Sequence, residues 1–82
     1  MDINLDLYKV FYYVVKTGSI SKASQALFIS QPAVSQAIKQ LETKLGGQVL
    51  FRTPKGIMLT PEGEVLYKYV EQGYNMMLLA ES

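Results

Sequence analysis

Leu7, Val10, Phe11 and Val14 recur at steps of three and four, the spacing that lines one face of a helix. The stripe predicts a first helix from about Leu5 to Lys16, closed at Thr17-Gly18, where glycine accepts the backbone that ends helices. Tyr12 and Tyr13 lie off the stripe and are expected to be partly buried packing residues. Ser19 and Ser21 both offer an N-cap for a short second helix, from about Ser21 to Leu27. Its inner face is expected to be Ala23, Ala26 and Leu27, small enough for close helix approach. Phe28-Ile29 then makes a brief turn.

Ser30 caps a third helix, with Pro32 in the first turn, where a missing N–H leaves no hydrogen bond unmade. Val34, Ile38, Leu41 and Leu45 form its apolar stripe, at i, i+4, i+7 and i+11. At about 100° per residue, Pro32, Ser35, Gln36, Lys39 and Thr43 project from the other side. Gly46-Gly47 ends the helix.

Two short β-prone runs follow, Val49 to Arg52 and Ile57 to Leu59, joined by Thr53-Pro54-Lys55-Gly56. Proline and glycine stand where a type I turn prefers them, so the segment reads as a two-stranded hairpin, or wing. Thr60-Pro61-Glu62 starts a fourth helix with a cap, a proline at the first position and an acid in the first turn. That helix can run to the end of the chain with a broad apolar band of Val65, Leu66, Tyr69, Val70, Tyr74, Met77 and Leu78. A small domain cannot cover so long a band, and pairing with a second copy is the economical solution.

The pattern describes a mainly α protein: a winged helix-turn-helix of three helices plus a two-stranded wing over 1–60, then a long linker and dimerisation helix over 61–82. Eighty-two residues make one small domain with a thin stability margin. The chain has no cysteine and no histidine. Disulfides and thiolate metal sites are excluded, and the commonest general base and transition-metal ligand are missing. No convergent acid–base set replaces them, so neither catalysis nor a cofactor or metal is expected. Gly46-Gly47 is no phosphate loop, because no lysine–serine pair follows it. Met1-Asp2-Ile3-Asn4 lacks the basic start and apolar core of a signal peptide, and no apolar run reaches transmembrane length; a cytoplasmic protein is expected.

The net charge of +1 is uninformative, but its distribution is not. Between residues 16 and 55, Lys16, Lys22, Lys39, Lys44, Arg52 and Lys55 face Glu42 alone, while the flanking segments are acidic. A basic middle between acidic ends is the outline of a phosphate-binding face.

On the outward side of the third helix, Gln31 and Gln36 offer the paired donor and acceptor that suit the N6/N7 edge of adenine. Ser30 and Ser35 can reach phosphate or base edges, and Lys39 guanine or phosphate. The starts of the second helix, with Ser21, and of the third offer backbone amides to phosphates. Lys55 at the hairpin tip and Arg52 at its base suit the DNA backbone and minor groove, where arginine is attracted by the negative potential. A salt bridge from Arg52 to a fourth-helix glutamate is the competing reading. Taken singly, each of these residues is an ordinary solvated side chain; gathered on one face of a capped helix, they point to duplex DNA.

Gly18-Ser19-Ile20, then Leu27-Phe28-Ile29-Ser30-Gln31-Pro32-Ala33-Val34-Ser35, Leu41-Glu42, Leu45-Gly46, Arg52 and Leu59-Thr60-Pro61-Glu62-Gly63 resemble the N-terminal domain of LysR-type transcriptional regulators. The resemblance runs without a gap from about Leu5 to Leu66. It implies a bacterial transcription regulator that binds a dyad-symmetric operator as a dimer held by antiparallel linker helices. Residues matching Ser30, Gln31, Pro32, Ser35, Gln36 and Lys39 would line the major groove, and Arg52 would border the minor groove. It also implies a further domain, outside these residues, that binds a small-molecule inducer and completes a tetramer. Three departures stand out. Ala23-Ser24 replaces paired alanines, Gln36 replaces a frequent arginine, and Val49-Leu50 replaces Leu-Phe, with Phe51 one place later. The last leaves the register of the first wing strand open. The dimer is assigned Leu66, Tyr69, Val70, Tyr74, Met77 and Leu78. The competing class is a protein-interaction module docking a partner on the long apolar helix.

Overall fold

The computed structural model describes residues 5–81; the first four residues, weighed above as a possible leader, and Ser82 lie outside it. The chain runs α1 (Leu5–Thr17), α2 (Ile20–Leu27), α3 (Gln31–Leu45), β1 (Leu50–Thr53), β2 (Gly56–Leu59) and α4 (Pro61–Glu81). It is the mainly helical winged helix-turn-helix that the polar pattern implies.

Helix α1 is the central element, packed against α2, α3, α4 and β2. Its stripe of Leu7, Val10, Phe11 and Val14 is buried, and Phe11 and Val14 are fully enclosed. The helix closes on Gly18 at φ +75°, whose N–H donates to the Val14 carbonyl at 2.9 Å. Tyr12 is more deeply buried than its off-stripe position suggested, because α4 crosses over it.

Ser19, not Ser21, caps α2, its Oγ accepting the Lys22 N–H at 3.1 Å. Ala23 is buried as expected, but Ala26 faces solvent and Ser24 takes the inner place. The Ser24 hydroxyl can be buried there because it donates to the Ser21 carbonyl at 2.7 Å, leaving no unmet donor.

Ser30 caps α3 by accepting the Ala33 N–H at 3.1 Å, and Gly46 ends it at φ +79°. Val34, Ile38 and Leu41 pack into the core, whereas Leu45, in the final turn, has passed its edge and is exposed.

The hairpin is antiparallel, with Leu50 opposite Leu59, Phe51 opposite Met58, Arg52 opposite Ile57 and Thr53 opposite Gly56. Pro54-Lys55 form the turn, where Thr53 Oγ1 donates to the Gly56 carbonyl and accepts the Lys55 N–H. Strand β1 is displaced by one residue at both ends from the expected Val49 to Arg52, and β2 begins one residue before the expected Ile57. Val49, opposite Thr60 in the same register, falls outside β1 because its N–H is diverted from the ladder. Its N–H donates to the Glu42 carboxylate at 2.9 Å, and its carbonyl accepts the Thr60 N–H at 3.1 Å. Val49 and Leu50 are buried and Phe51 is exposed, which settles the register left open by the sequence. The apolar pair facing the core is Val49-Leu50, and Phe51 points outward beside Met58.

Thr60 joins the hairpin to α4: its Oγ1 accepts the Gly63 N–H at 3.0 Å and donates to the Gln48 carbonyl at 2.8 Å. Gly63 is buried directly over the Val49 carbonyl. Further along, Leu66, Tyr67 and Val70 pack on the core, and Tyr74 stacks on Tyr12 with ring centroids 4.6 Å apart. At about 1.5 Å per residue the 21-residue α4 is roughly 32 Å long, and its outer side is left uncovered.

Candidate nucleic-acid interface

Ser30, Gln31, Pro32, Ala33, Gln36, Lys39, Gln40 and Thr43 are exposed along one side of α3, and Ser35 is half-buried among them. Among the described residues, no other element lies over this face. It is displayed because the three large aliphatic residues on the reverse side anchor the helix to α1 and α2.

Arg52 engages the third helix rather than a fourth-helix glutamate. Its Nη2 donates to the Ser35 hydroxyl at 2.9 Å, tying the base of the wing to the middle of α3. The guanidinium has five N–H donors, so most of its capacity can still serve an outside acceptor. Ser35 is correspondingly committed as an acceptor, with its own hydroxyl hydrogen left to donate. Arg52 also lines a shallow cleft between α2 and the wing, together with Gly18, Ser19, Ile20, Ser21, Thr53, Gly56 and Ile57. Ser21 and Arg52, assigned separately from the sequence, thus share one cleft. Gln36 and Lys39 share a second hollow, further along α3, with Gln40, Thr43 and Lys44. Thr43 is less available than its outward position suggests, since its hydroxyl donates to the Lys39 carbonyl at 3.0 Å. Lys55 stands exposed at the wing tip.

The set therefore falls into three neighbouring groups: Ser30, Gln31 and Pro32 at the leading end of α3, Ser35 with Arg52 and Ser21 beside its middle, and Gln36 with Lys39 beyond. Gln40 and Lys44 were not singled out from the sequence. Their signal was the continuation of the 100° rotation past Lys39.

The residues assigned to dimerisation divide between two sides of α4. Leu66 and Val70 pack against the subunit's own core, and Tyr74 donates or accepts a 3.2 Å hydrogen bond with Tyr13. Tyr69, Met77 and Leu78 are exposed, as are Val65, Met76 and Leu79. Val65, Tyr69, Gln72, Met76 and Leu79 follow one another at steps of four, three, four and three, the period of a coiled-coil seam.

Three helices, a tight α2–α3 turn and a two-stranded wing hydrogen-bonded to α3 define a winged helix-turn-helix. Residues 5–64 match the model of the bacterial regulatory helix-turn-helix proteins of the lysR family, and the chain belongs to that family. The HTH-type transcriptional regulator GltR of Bacillus subtilis is 40% identical over 70 residues, covering 85% of this chain and 24% of the relative. The HTH-type transcriptional activator AmpR of Rhodobacter capsulatus is 36% identical over 76 residues, covering 93% of this chain and 26% of the relative. The chain spans about a quarter of the length of these curated relatives. Among solved structures, the DNA-binding domain of BenM in complex with catB site 1 DNA superposes with a TM-score of 0.85 at 34% identity, covering 96% of this chain and 90% of that one. CbnR, a LysR family transcriptional regulator, superposes with a TM-score of 0.86 at 25% identity, covering 96% of this chain and 27% of that one.

Proposed function

We propose that this chain binds double-stranded DNA sequence-specifically, as a dimer on a dyad-symmetric site, to regulate transcription. The observation that carries the reading is the uncovered face of α3 from Ser30 to Lys39, with Arg52 of the wing tied into its middle. The likeness to a regulator's DNA-binding domain in its DNA complex supports it.

In this reading Gln31 and Gln36 meet base edges in the major groove, with Pro32 packed beside them. Ser21, Ser30 and Lys39 meet phosphates, Arg52 reaches toward the adjacent minor groove, and Lys55 meets the backbone there. Ser35 acts chiefly by holding Arg52. The work is recognition, with no catalytic step and no cofactor, and its place is the cytoplasm, on the nucleoid. None of the described helices is long and apolar enough to cross a membrane.

Affinity then comes mainly from phosphate neutralisation. A titration against duplexes with and without dyad symmetry should show two chains on the symmetric site. Binding should weaken by about 0.9 log units per log of salt for each contacted phosphate. A salt-independent response, or equal binding to all duplexes, would overturn the reading.

The second copy is held by α4. Its exposed 4-3-4-3 seam of Val65, Tyr69, Gln72, Met76 and Leu79 is the natural contact, since Leu66, Val70 and Tyr74 already serve their own subunit. A charge at Met76 touches nothing in the core. Met76→Glu should leave the thermal transition of the monomer in place while shifting sedimentation from dimer to monomer. An unchanged dimer would remove the seam from the interface.

A further inference from the structure

Phe28 is the one large aromatic among the described residues that the fold leaves almost wholly in water, 94% exposed, and it is held there in a left-handed backbone at φ +58°. It caps α2: its N–H donates to the Gln25 carbonyl and the following Ile29 N–H to the Ser24 carbonyl at 3.1 Å. This closing turn is the position where helices prefer glycine or asparagine, because a bulky L-residue is strained in that conformation. The fold therefore gains nothing from the ring. Local strain of this kind, without packing in return, is a mark of a residue kept for contact with something else.

The position says what that is. Two residues separate Phe28 from Gln31, the first residue of α3, so their Cα atoms lie within about 10 Å of one another. The leading end of a recognition helix is the part that enters the major groove, and Phe28 stands in the turn that leads into that end. The exposed seam lies on a different element, α4, which packs against α1 and β2. In the major groove the one apolar feature of a base pair is the C5-methyl of thymine, and phenylalanine is among the side chains that pack on it.

We infer that Phe28 is a specificity-determining residue that packs its ring on a thymine methyl group at the edge of the site read by Gln31. The inference rests on the DNA-binding reading above, and the test separates the two.

The probe is the duplex recovered by selecting with the parent chain from a random library. Phe28→Gly removes the ring and suits the left-handed backbone, so the variant should melt at or above the parent temperature. It should bind the selected duplex roughly three- to tenfold more weakly, the effect of one lost apolar contact. Replacing thymines one at a time by uracil deletes the methyl and keeps every hydrogen-bonding group. At one position the parent should lose the same factor while Phe28→Gly loses nothing further. Gln31→Ala should weaken binding to the thymine and uracil duplexes alike. Parent-like affinity of Phe28→Gly, alongside a loss in Gln31→Ala, would overturn the role of Phe28 and leave DNA binding intact. So would an equal loss by Phe28→Gly and the parent at every uracil. Failure of the parent to select any duplex would instead bring down the DNA-binding reading, and this inference with it.

Discussion

Gly63→Ala should destabilise the protein by about 3 kcal/mol or more, at the top of the range for overpacking. In an ordinary helix the same change would stabilise it by roughly 0.5–1 kcal/mol, because alanine loses less backbone freedom than glycine on folding. The neighbourhood reverses the sign. A Cβ on Gly63 would fall 1.8 Å from the Val49 carbonyl oxygen and 2.8 Å from its carbon. Both atoms are backbone and cannot rotate away. The start of α4 would have to retreat by more than an ångström, and three hydrogen bonds of the junction lie in its path. These are Thr60 N–H to Val49, the Thr60 hydroxyl to Gln48, and Val49 N–H to Glu42. Gly73, in the same helix, supplies the control, since nothing lies within 4 Å of its added Cβ. Thermal melts followed by circular dichroism should move down for Gly63→Ala and slightly up for Gly73→Ala. A rise for both would mean that the junction has slack.

The second large effect is expected at Tyr12, where truncation to alanine should cost about 3–5 kcal/mol, as for other buried aromatics. The ring is 3% exposed, stacked on Tyr67 and Tyr74 at 5.8 and 4.6 Å, and edge-on to Tyr13 at 5.6 Å. Lys16 Nζ donates to its hydroxyl at 3.1 Å from an exposed position. Removing the ring undocks the middle of α4 while Phe11, Val34 and Leu41 keep the three-helix core. Amide exchange should therefore accelerate over residues 67–74 ahead of α1 and α3. Uniform acceleration along the chain would show that α4 and the core unfold as one unit.

The same cluster fixes the direction of the alkaline response. The hydrogen bond from Lys16 to Tyr12 raises the lysine above its usual 10.5. Burial raises Tyr67 above 10.0, helped by Glu71, and the hydrogen bond with Tyr13 raises Tyr74, helped by burial. Raised values in the folded state mean that the stabilisation is fully present below about pH 10 and is lost as pH climbs through those raised values.

Much of the fold was legible because periodicity and punctuation agreed. Ser30, Pro32 and Gly46 bound α3, its stripe fixed which side is inward, and the outward side followed by rotation. The errors came where a tertiary claim overrode a local preference. Ala26 was assigned inward by its size, but the α2 rotation that buries Ala23 puts Ser24 beside it, and a back-bonded hydroxyl makes that place tolerable. Val49 looks like a strand residue, and its carbonyl does meet Thr60 across the hairpin, yet Glu42 takes the N–H that would complete the pair. The apolar band of α4 was visible as a whole, but not its division into an own-subunit side and an exposed seam, because that depends on where α1 presents Tyr12 and Tyr13. Arg52 was legible as a residue of importance, not as a partner of Ser35. Seventeen positions separate the two, and no local pattern links them.

The wing answers to α3 at two points, Glu42 through the Val49 N–H and Ser35 through the Arg52 guanidinium. Helix and hairpin are thus joined by two side-chain hydrogen bonds as well as by the chain that runs between them. In the proposed complex, a change at position 35 alters what the helix says to the bases and also where the arginine lands on the neighbouring groove. The two vocabularies, letters and shape, cannot drift apart one substitution at a time.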